Sequence, residues 1–208
     1  MKKAKAVPAK SQGVIIIVSA PSGAGKTTLI KRLMQAFPDM RLSVSYTTRP
    51  PRVGEVPGKD YHFVNVERFR RMRARGEFAE WAKVHGRFYG TPRRPLERSV
   101  RGGCDVLLDI DVQGSRKIKG GYPDAVSVFL LPPSLRELER RLSERKTDGK
   151  EVIRQRLDNA KRELGEIARY DYYVLNLKIG DALDALKAIV VAERHRVSRV
   201  QRWKPLSP

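Results

Sequence analysis

A glycine-rich stretch near the start of the chain carries the residue types best suited to phosphate chemistry. Gly23 and Gly25 leave backbone N–H groups free to surround phosphate oxygens, because no Cβ stands in the way. Lys26 can reach the β- and γ-phosphates as a point charge, and the Thr27 hydroxyl can ligate Mg²⁺. The stretch predicts a loop that binds a nucleoside triphosphate. Its residues are Ala20, Pro21, Ser22, Gly23, Ala24, Gly25, Lys26, Thr27 and Thr28.

The sequence on either side supplies the context that such a loop requires. Residues 14–18 form an apolar run with the length of a buried strand, and residues 29–37 have the pattern of an amphipathic helix. The positive end of that helix would face the bound anion. Ala20 stands where the usual pattern begins with glycine, and alanine is the smallest substitute. The alternative is a turn that only joins a strand to a helix, which the Gly-Lys-Thr-Thr sequence at the boundary disfavours.

Strands and helices alternate along the rest of the chain, which predicts an α/β fold. The apolar runs at residues 106–111, 125–131 and 172–175 have the character of buried strands. Asp109 lies in the first of these runs, where a carboxylate that organises Mg²⁺ is expected downstream of a phosphate-binding loop. The order of elements implies a P-loop NTPase-type parallel sheet flanked by helices, with ligands at the carboxyl ends of the strands.

Two further segments are expected to be added to this α/β core. Prolines and glycines break residues 45–91 into short strands, which suggests an inserted β-rich lobe. Asn65 is expected to cap a helix within this lobe. Ser134 is expected to cap the first of two arginine-rich helices, which are either a lid over phosphates or ordinary helices with solvated arginines. Asp181 is predicted to cap a long terminal helix whose apolar face extends to Val197.

Length and composition are those of one globular domain. The chain has 208 residues, of which 40% are hydrophobic and 32% are charged. No apolar stretch reaches the roughly 18 residues that a membrane span needs. The single cysteine, Cys104, excludes an internal disulfide and suits a reducing compartment. We therefore expect a cytoplasmic protein with no membrane partner. Residues 1–12 are expected to form a disordered basic tail before the folded domain.

The net charge of +20 predicts attraction to anions. Arginines cluster at residues 68–75 and again at 194–202. One interpretation is a surface for nucleic acid; the other is solvated helix faces on a protein whose substrates are polyanions. The sequence contains no zinc-ligand spacing and no RNA-binding aromatic motif, so we favour the second interpretation. The residues alone thus indicate a nucleotide-dependent phosphotransferase or hydrolase that uses Mg²⁺.

Four motifs, in matching order, resemble those of the guanylate kinase family. They lie at residues 45–63, at residues 80–82 with 89–91, at residues 108–114 and at residues 172–176. The resemblance runs from about Gly13 to the C-terminal helix. It implies a CORE at residues 13–44, 92–137 and 158–208, a GMP-binding lobe at 45–91 and a LID at 138–157. The implied reaction is ATP + GMP ⇌ ADP + GDP, with dGMP as a further acceptor.

The resemblance also implies roles for residues around GMP. Arg49 and Arg52 would grip the GMP phosphate with their guanidinium groups, which suit phosphate oxygens. Glu80 would accept hydrogen bonds from guanine N1–H and the 2-amino group, which adenine lacks. The remaining expected contacts are Tyr61 and Tyr89 to the phosphate, Ser45 and Thr91 to the O6 side of the base, and Asp111 to the guanine.

On the donor side, the resemblance implies that Lys26 and the loop amides position the ATP phosphates, while Asn176 lies near the adenine. Thr27 and Asp109 would organise Mg²⁺, Asp109 either directly or through water. The lid arginines Arg141, Arg145 and Arg156 would neutralise the phosphoryl group during direct in-line transfer.

The chain departs from the family pattern at Glu144 and Lys146, where glycines are usual, and at Leu177 and Lys178, where acidic residues are usual. A non-catalytic interaction module with the same fold and a kinase for a different acceptor remain as alternatives. The sequence does not indicate an oligomeric state.

Overall fold

The computed structural model describes residues 12–84, 86–143 and 150–199. The predicted basic tail, apart from Gln12, and the basic residues beyond Arg199 lie outside the described residues. Within the described ranges, no helix has the length and apolar character needed to cross a bilayer.

A five-stranded parallel sheet forms the centre of the molecule. Its strand order is β2-β7-β1-β8-β9, and every neighbouring pair is parallel. All five residues of β1 are buried, because the strand has two neighbours and both of its faces are covered. The strands are β1 (Ile15–Ser19), β2 (Arg41–Leu42), β7 (Val106–Asp109), β8 (Val126–Leu131) and β9 (Tyr172–Leu175).

Alternate side chains of the central strands enter two separate cores. Ile16 and Val18 point to the face that packs against α1 (Lys26–Ala36) and α7 (Ile179–Arg194). Ile15 and Ile17 point to the opposite face, which packs against α3 (Arg93–Arg101) and α4 (Val112–Gly121). The helices on both faces complete the parallel α/β fold that the sequence predicts.

A second sheet of four strands forms the predicted β-rich region. Its order is β4-β3-β6-β5, with β3 (Tyr46–Thr47), β4 (His62–Phe63), β5 (Phe78–Val84) and β6 (Arg87–Pro92). The β5–β6 pair is an antiparallel hairpin.

The second sheet is covered by α2 (Val66–Ala74). Phe69 of α2 stacks on Phe78 and on Phe88, with ring centres 4.6 and 5.4 Å apart. Gly90 of β6 has no side chain because a Cβ there would lie 2.8 Å from the Phe78 ring.

Two helices follow β8, namely α5 (Leu135–Ser143) and α6 (Lys150–Leu164). They contact each other through Leu138 on α5 and Leu157 and Ala160 on α6. As predicted, the Ser134 hydroxyl accepts a hydrogen bond from the Glu137 N–H, at 3.0 Å. The Asn65 side chain likewise caps α2, accepting from the Arg68 N–H at 2.8 Å.

Two expectations for the end of the chain are wrong. Lys178, not Asp181, is the N-cap of α7, and it makes no side-chain capping bond. Asp181 lies in the first helical turn, where a carboxylate interacts with the helix dipole without capping. Val197 does not extend the apolar face of α7, because the helix ends at Arg194. Val197 lies in a short 3₁₀ turn and is 83% exposed.

Candidate active site

The glycine-rich loop connects the end of β1 to the start of α1. Gly23 and Gly25 have φ values of 93° and 90°, a backbone conformation that residues with a Cβ rarely adopt. Gly25 is the N-cap of α1, so the positive end of the helix faces the loop. Ala20 is partly buried and packs against the core under α1. Its methyl group therefore contributes to packing, which accounts for alanine at the position where glycine is usual.

Asn176 lies beneath this loop, just after β9. Its side-chain amide donates a hydrogen bond of 2.7 Å to the Ala24 carbonyl, and only 5% of Asn176 is exposed. The sequence predicts a position near the adenine. The structure shows that the Asn176 side chain holds the Ala24 carbonyl of the loop in place.

Lys26 and Asp109 form an ion pair at the carboxyl edge of the first sheet. The parallel register places Asp109 opposite Val18, directly beside the loop. The Lys26 Nζ lies 2.7 Å from Asp109 Oδ1 and 3.4 Å from the Ile110 carbonyl oxygen. Burial lowers the pKa of Lys26, but the Asp109 carboxylate outweighs that effect and raises the pKa above its ordinary value. Lys26 is therefore a cation at neutral pH.

The donor set near Asp109 suits Mg²⁺ that is held mainly by substrate phosphates. Thr27, at the start of α1, and Asp109 line the same cavity. Within the described part of the chain, no cluster of three or more metal-binding side chains occurs. One hydroxyl and one carboxylate fit Mg²⁺, which in nucleotide sites takes few protein ligands and completes its shell with water and phosphate oxygens.

A cavity of about 170 Å³ lies between the two sheets and brings Glu80 next to Asp111. Glu80, on β5, is 5% exposed and accepts a hydrogen bond from the Thr91 hydroxyl at 2.7 Å. Burial raises the pKa of Glu80 to about 7; the Thr91 hydrogen bond opposes this shift and the Asp111 carboxylate adds to it. A buried carboxylate that borders a cavity is suited to accept N–H groups from a ligand.

Asp111 borders the same cavity as the N-cap of α4. One of its carboxylate oxygens accepts from the Gly114 N–H at 2.9 Å, and the other from the Gln113 side chain at 3.2 Å. Gly114 also approaches Glu80, since a Cβ there would lie 3.0 Å from Glu80 Oε2. Ser45, Tyr61 and Tyr89 complete this part of the predicted site.

A second cavity of about 220 Å³ adjoins the first and contains both predicted phosphate-binding arginines. Ser45, Tyr61, Tyr89 and Asp109 line both cavities. The centres of the Tyr61 and Tyr89 rings are 6.0 Å apart, and burial raises the pKa of Tyr61, so its hydroxyl stays protonated. The shared lining makes the two cavities one continuous site that reaches from Glu80 to Thr27.

The sequence does not reveal that Glu55 holds the segment with the two predicted phosphate-binding arginines in place. The Arg49 guanidinium donates to both Glu55 oxygens, at 2.7 and 3.0 Å, and the Arg52 N–H donates to Glu55 at 2.7 Å. The hydrogen bond from Arg49 lowers the pKa of Glu55. Glu55 follows Gly54, which has a φ of 84°. The signal in the sequence is a glutamate that follows Arg52 by three residues and Arg49 by six.

Glu163 is a second carboxylate that the sequence predictions missed. It lies near the end of α6, is half-buried, and lines a cavity of about 340 Å³ together with Val84 and Asp111. Burial raises the pKa of Glu163 to about 7, and Lys26 opposes the shift. Glu163 follows the buried Ala160 by three residues, and this helical spacing could have indicated its inward position.

The structure describes the predicted lid arginines only in part. Arg156 lies half-buried on α6, and Arg141 lies on α5. The side chain of Arg141 and the whole of Arg145 lie outside the described residues, as do the unusual Glu144 and Lys146.

Comparisons with known proteins identify the family of this chain. The family model described as guanylate kinase matches residues 12–193. A guanylate kinase from Geobacter metallireducens is 53% identical over 191 residues, which cover 92% of this chain and 94% of the relative. One from Syntrophotalea carbinolica is 52% identical, covering 92% of this chain and 91% of the relative.

A solved structure agrees with these relatives. The crystal structure of guanylate kinase from Anaplasma phagocytophilum superposes with a TM-score of 0.78 at 38% identity, covering 91% of this chain and 90% of that one. The parallel sheet and the loop before α1 define a P-loop type of nucleotide-binding fold. The chain belongs to the guanylate kinase family. It is therefore an enzyme of the kinase class, and its fold and family are those that the sequence predicts.

Proposed function

We propose that this chain transfers the γ-phosphoryl group of ATP to GMP, and to dGMP, with Mg²⁺. The products are ADP with GDP or dGDP, which places the reaction in purine nucleotide metabolism and GMP recycling. The single observation that carries the proposal is the continuous site running from the buried Glu80 to the loop at Lys26. This site joins a carboxylate suited to guanine with groups suited to the GMP phosphate and to the ATP phosphates.

Glu80 would select the base. As a carboxylate, Glu80 can accept hydrogen bonds from guanine N1–H and from the 2-amino group. It already accepts one from the Thr91 hydroxyl. AMP offers no donor at these positions and would leave a buried charge unpaired. Ser45 and Thr91 would face the O6 side of the ring, and Asp111 would help to hold the guanine.

Arg49, Arg52, Tyr61 and Tyr89 would bind the GMP phosphate at the other end of the cavity. Arginine forks match phosphate oxygens, and both phenols donate hydrogen bonds. In the described structure Glu55 already orients Arg49 and the backbone of Arg52. The phosphate would therefore meet donors that are largely positioned in advance.

The donor half would use residues 20–28 for the ATP phosphates. Lys26 would leave Asp109 for the β- and γ-phosphates, while Thr27 and Asp109, directly or through water, would hold Mg²⁺. Bound Mg²⁺ would supply charge neutralisation between the phosphates. Asn176 would keep the loop in shape on the adenine side through its bond to the Ala24 carbonyl.

The transfer itself needs no nucleophilic side chain, because a GMP phosphate oxygen attacks the γ-phosphorus in line. Lys26 and the lid arginines Arg141, Arg145 and Arg156 would neutralise the charge spread over the moving group. Exclusion of water by the lid would suppress hydrolysis of ATP.

We also propose the division into CORE (13–44, 92–137 and 158–208), GMP-binding lobe (45–91) and LID (138–157). The second sheet at residues 46–92 supports the lobe, and the α5–α6 pair, which begins at Leu135 and ends at Leu164, supports a separate helical unit around the LID. A cytoplasmic location is likewise proposed, on the basis of the single free Cys104.

A panel of nucleoside monophosphates with ATP and Mg²⁺ tests the proposal. We expect ADP formation with GMP and dGMP, and a kcat/KM for AMP lower by about 10⁴-fold, since a hydrogen-bonding site rejects analogues that lack the donor. UMP and CMP should not be turned over. Absence of ADP formation with every acceptor would favour the non-catalytic module, and preference for another nucleotide would favour a different kinase.

A matched variant separates base recognition from general activity. Glu80→Gln should lose selectivity for GMP over AMP, while ATP binding, measured by calorimetry, is retained. Glu97→Gln serves as the control, because Glu97 pairs with Arg101 on the surface and borders neither cavity. Unchanged GMP turnover together with unchanged selectivity in Glu80→Gln would refute the role of Glu80.

A further inference from the structure

A basic surface formed by α2, α3 and α4 lies apart from the residues assigned to the nucleotides. Between residues 66 and 101 the chain has eleven arginines and lysines against four glutamates, a net charge of +7 out of the total +20. The exposed members of this basic surface line neither of the two cavities of the candidate site. They are Arg68, Arg70, Arg73, Arg94, Arg98 and Lys117.

Direct contacts show that the three helices form one continuous surface. The Arg73 guanidinium of α2 lies 4.7 Å from the centre of the Trp81 ring, and the Lys117 ammonium of α4 lies 4.5 Å from it. Lys117 also donates to the Trp81 carbonyl. Arg93, at the start of α3, donates to the Gly76 and Phe78 carbonyls at 3.2 and 3.0 Å, which ties α3 to the end of α2.

The positive charge of this surface is not compensated by nearby acids. The glutamates on this surface are already paired, Glu67 with Arg71, Glu77 with Arg75 and Glu97 with Arg101. Among the described residues, no carboxylate forms an ion pair with Arg68, Arg70, Arg73, Arg94 or Arg98. Clustered like charges repel each other and do not stabilise the fold, so an external polyanion is the partner that their arrangement fits.

The composition of the surface favours nucleic acid over a membrane. Arg70 and Arg73 stand three residues apart on α2, and Arg94 and Arg98 stand four apart on α3. Each pair therefore lies on one side of its helix, which suits a chain of phosphates. A helix that binds a membrane surface adds large apolar side chains, whereas the only large hydrophobic residue exposed on α2 is Val66, at 38%. Trp81 is the half-buried aromatic residue of this surface, with Arg73 and Lys117 over its ring. A base would contact the ring by displacing one of these cations.

Contrary to the interpretation that the sequence alone favours, we propose that this basic surface binds single-stranded nucleic acid, holding the phosphodiester backbone with α2 and α3 and contacting bases at Trp81. The binding is independent of the nucleotide site, because none of the six residues borders it. Single-stranded RNA and DNA share this chemistry, and the 2′-hydroxyl distinguishes them in the test.

Fluorescence anisotropy with labelled oligouridylate and oligothymidylate of about 20 nucleotides measures the binding, across a range of salt concentrations. The test variant is Arg68→Gln/Arg70→Gln/Arg73→Gln. Its slope of log Kobs against log salt should fall by about 2, because each lost phosphate contact on a single strand contributes about 0.7. GMP kinase activity of this variant should be unchanged, which also shows that it folds.

The control variant is Arg32→Gln/Arg41→Gln/Lys187→Gln, which removes the same charge from α1, β2 and α7, away from the basic surface. It should bind the oligonucleotides nearly as the unmodified chain does. Equal losses in both variants would overturn the proposal, since net charge alone would then explain binding. Displacement of the oligonucleotide by saturating GMP and ADP would place it in the nucleotide site instead.

Two further outcomes would also refute the proposal. One is the absence of oligonucleotide binding at about 0.15 M salt, where the Debye length is about 8 Å. The other is binding to phosphatidylserine vesicles without binding to either oligonucleotide, which would identify the surface as a membrane contact.

Discussion

At the scale of single residues, the ionisation of Glu80 decides whether the proposed site can distinguish guanine. Its pKa is raised to about 7 by burial, so a fraction of the free protein carries a neutral carboxylic acid at physiological pH. A protonated Glu80 presents an O–H donor where guanine also presents donors. Only the ionised form can accept both N–H groups.

The kcat/KM for GMP should therefore rise with pH and level off above about 7, because this parameter reports ionisations of the free enzyme. Measurements between pH 5.5 and 8.5 test this expectation. Glu80→Gln should flatten the rise that is due to this residue. Glu163→Gln serves as the comparison, since the pKa of Glu163 is also about 7. A profile that Glu80→Gln leaves unchanged and Glu163→Gln flattens would assign the ionisation to Glu163.

The same carboxylate should limit stability at alkaline pH. A carboxyl group whose pKa rises on folding binds its proton more tightly in the folded state. Its favourable contribution is complete below the ordinary value of 4.5 and is lost as the pH rises to about 7. At pH 8, the free energy of unfolding of Glu80→Gln should exceed that of the unmodified chain by on the order of 2 kcal/mol. At pH 4.5 the two should be nearly equal, as urea unfolding at both pH values would show.

The residue types in the site could be predicted from the sequence, but their environment could not. The spacing of Gly25, Lys26 and Thr27 carries its own mechanism, whereas the role of Glu80 came from family resemblance. The raised pKa of Glu80 depends on burial between two sheets. The pairing of Arg49 with Glu55 depends on the turn at Gly54. These properties arise from the fold and not from local spacing.

At the scale of elements, two glycines in different surroundings should respond oppositely to the same substitution. Gly90→Ala places a Cβ 2.8 Å from the Phe78 ring and should destabilise the second sheet by about 1–3 kcal/mol. Gly120→Ala, inside α4 with nothing within 4 Å, should stabilise by about 0.5–1 kcal/mol. Thermal unfolding of both variants measures this difference. A neutral Gly90→Ala would mean that Phe78 can move aside at little cost.

Helix starts were predictable where a side chain makes the cap itself. Asn65 and Ser134 each accept a backbone N–H three residues ahead, which is a local pattern that the sequence displays. Asp181 is also a residue type that often caps helices, but α7 begins earlier, at Ile179. The hydrophobic contacts of α7 with the sheet, not a cap, set that boundary.

At the scale of the whole molecule, a partly buried ion pair joins α7 to the central sheet. Asp105 accepts from the Val14 N–H at 2.7 Å and from the Arg194 guanidinium at 2.6 Å. Arg194 also contacts Asp39 at 2.9 Å and lies over the Phe37 ring. These bonds lie at the end of the sheet opposite the glycine-rich loop.

Arg194→Met should therefore destabilise the fold by about 2–4 kcal/mol, because the mostly buried Asp105 loses its partner. The kcat for GMP should stay unchanged at temperatures where the variant is folded. Lys187→Met removes the Lys187–Asp184 pair at the surface of the same helix and should change stability by less than about 0.5 kcal/mol. A kcat that falls in the folded Arg194→Met would show that the two ends of the sheet are coupled.

The parallel sheet and its two layers of helices were predictable from the alternation of elements, but the strand order was not. The short β-like run at residues 41–46 is divided between the two sheets, with β2 next to β7 and β3 next to β6. Strands of two residues carry too few side chains for their pattern to specify a partner. Long-range packing makes that choice.

The Lys26–Asp109 ion pair has a consequence for a protein of this charge in a medium full of anions. Any anion entering the loop must first compete with a carboxylate 2.7 Å from the lysine. Inorganic phosphate or chloride brings few contacts with which to offset that exchange. A triphosphate brings many, together with a cation that suits the released Asp109. With the proposed roles of Lys26 and Asp109, the pair would hold back small anions and leave the loop available for nucleotides.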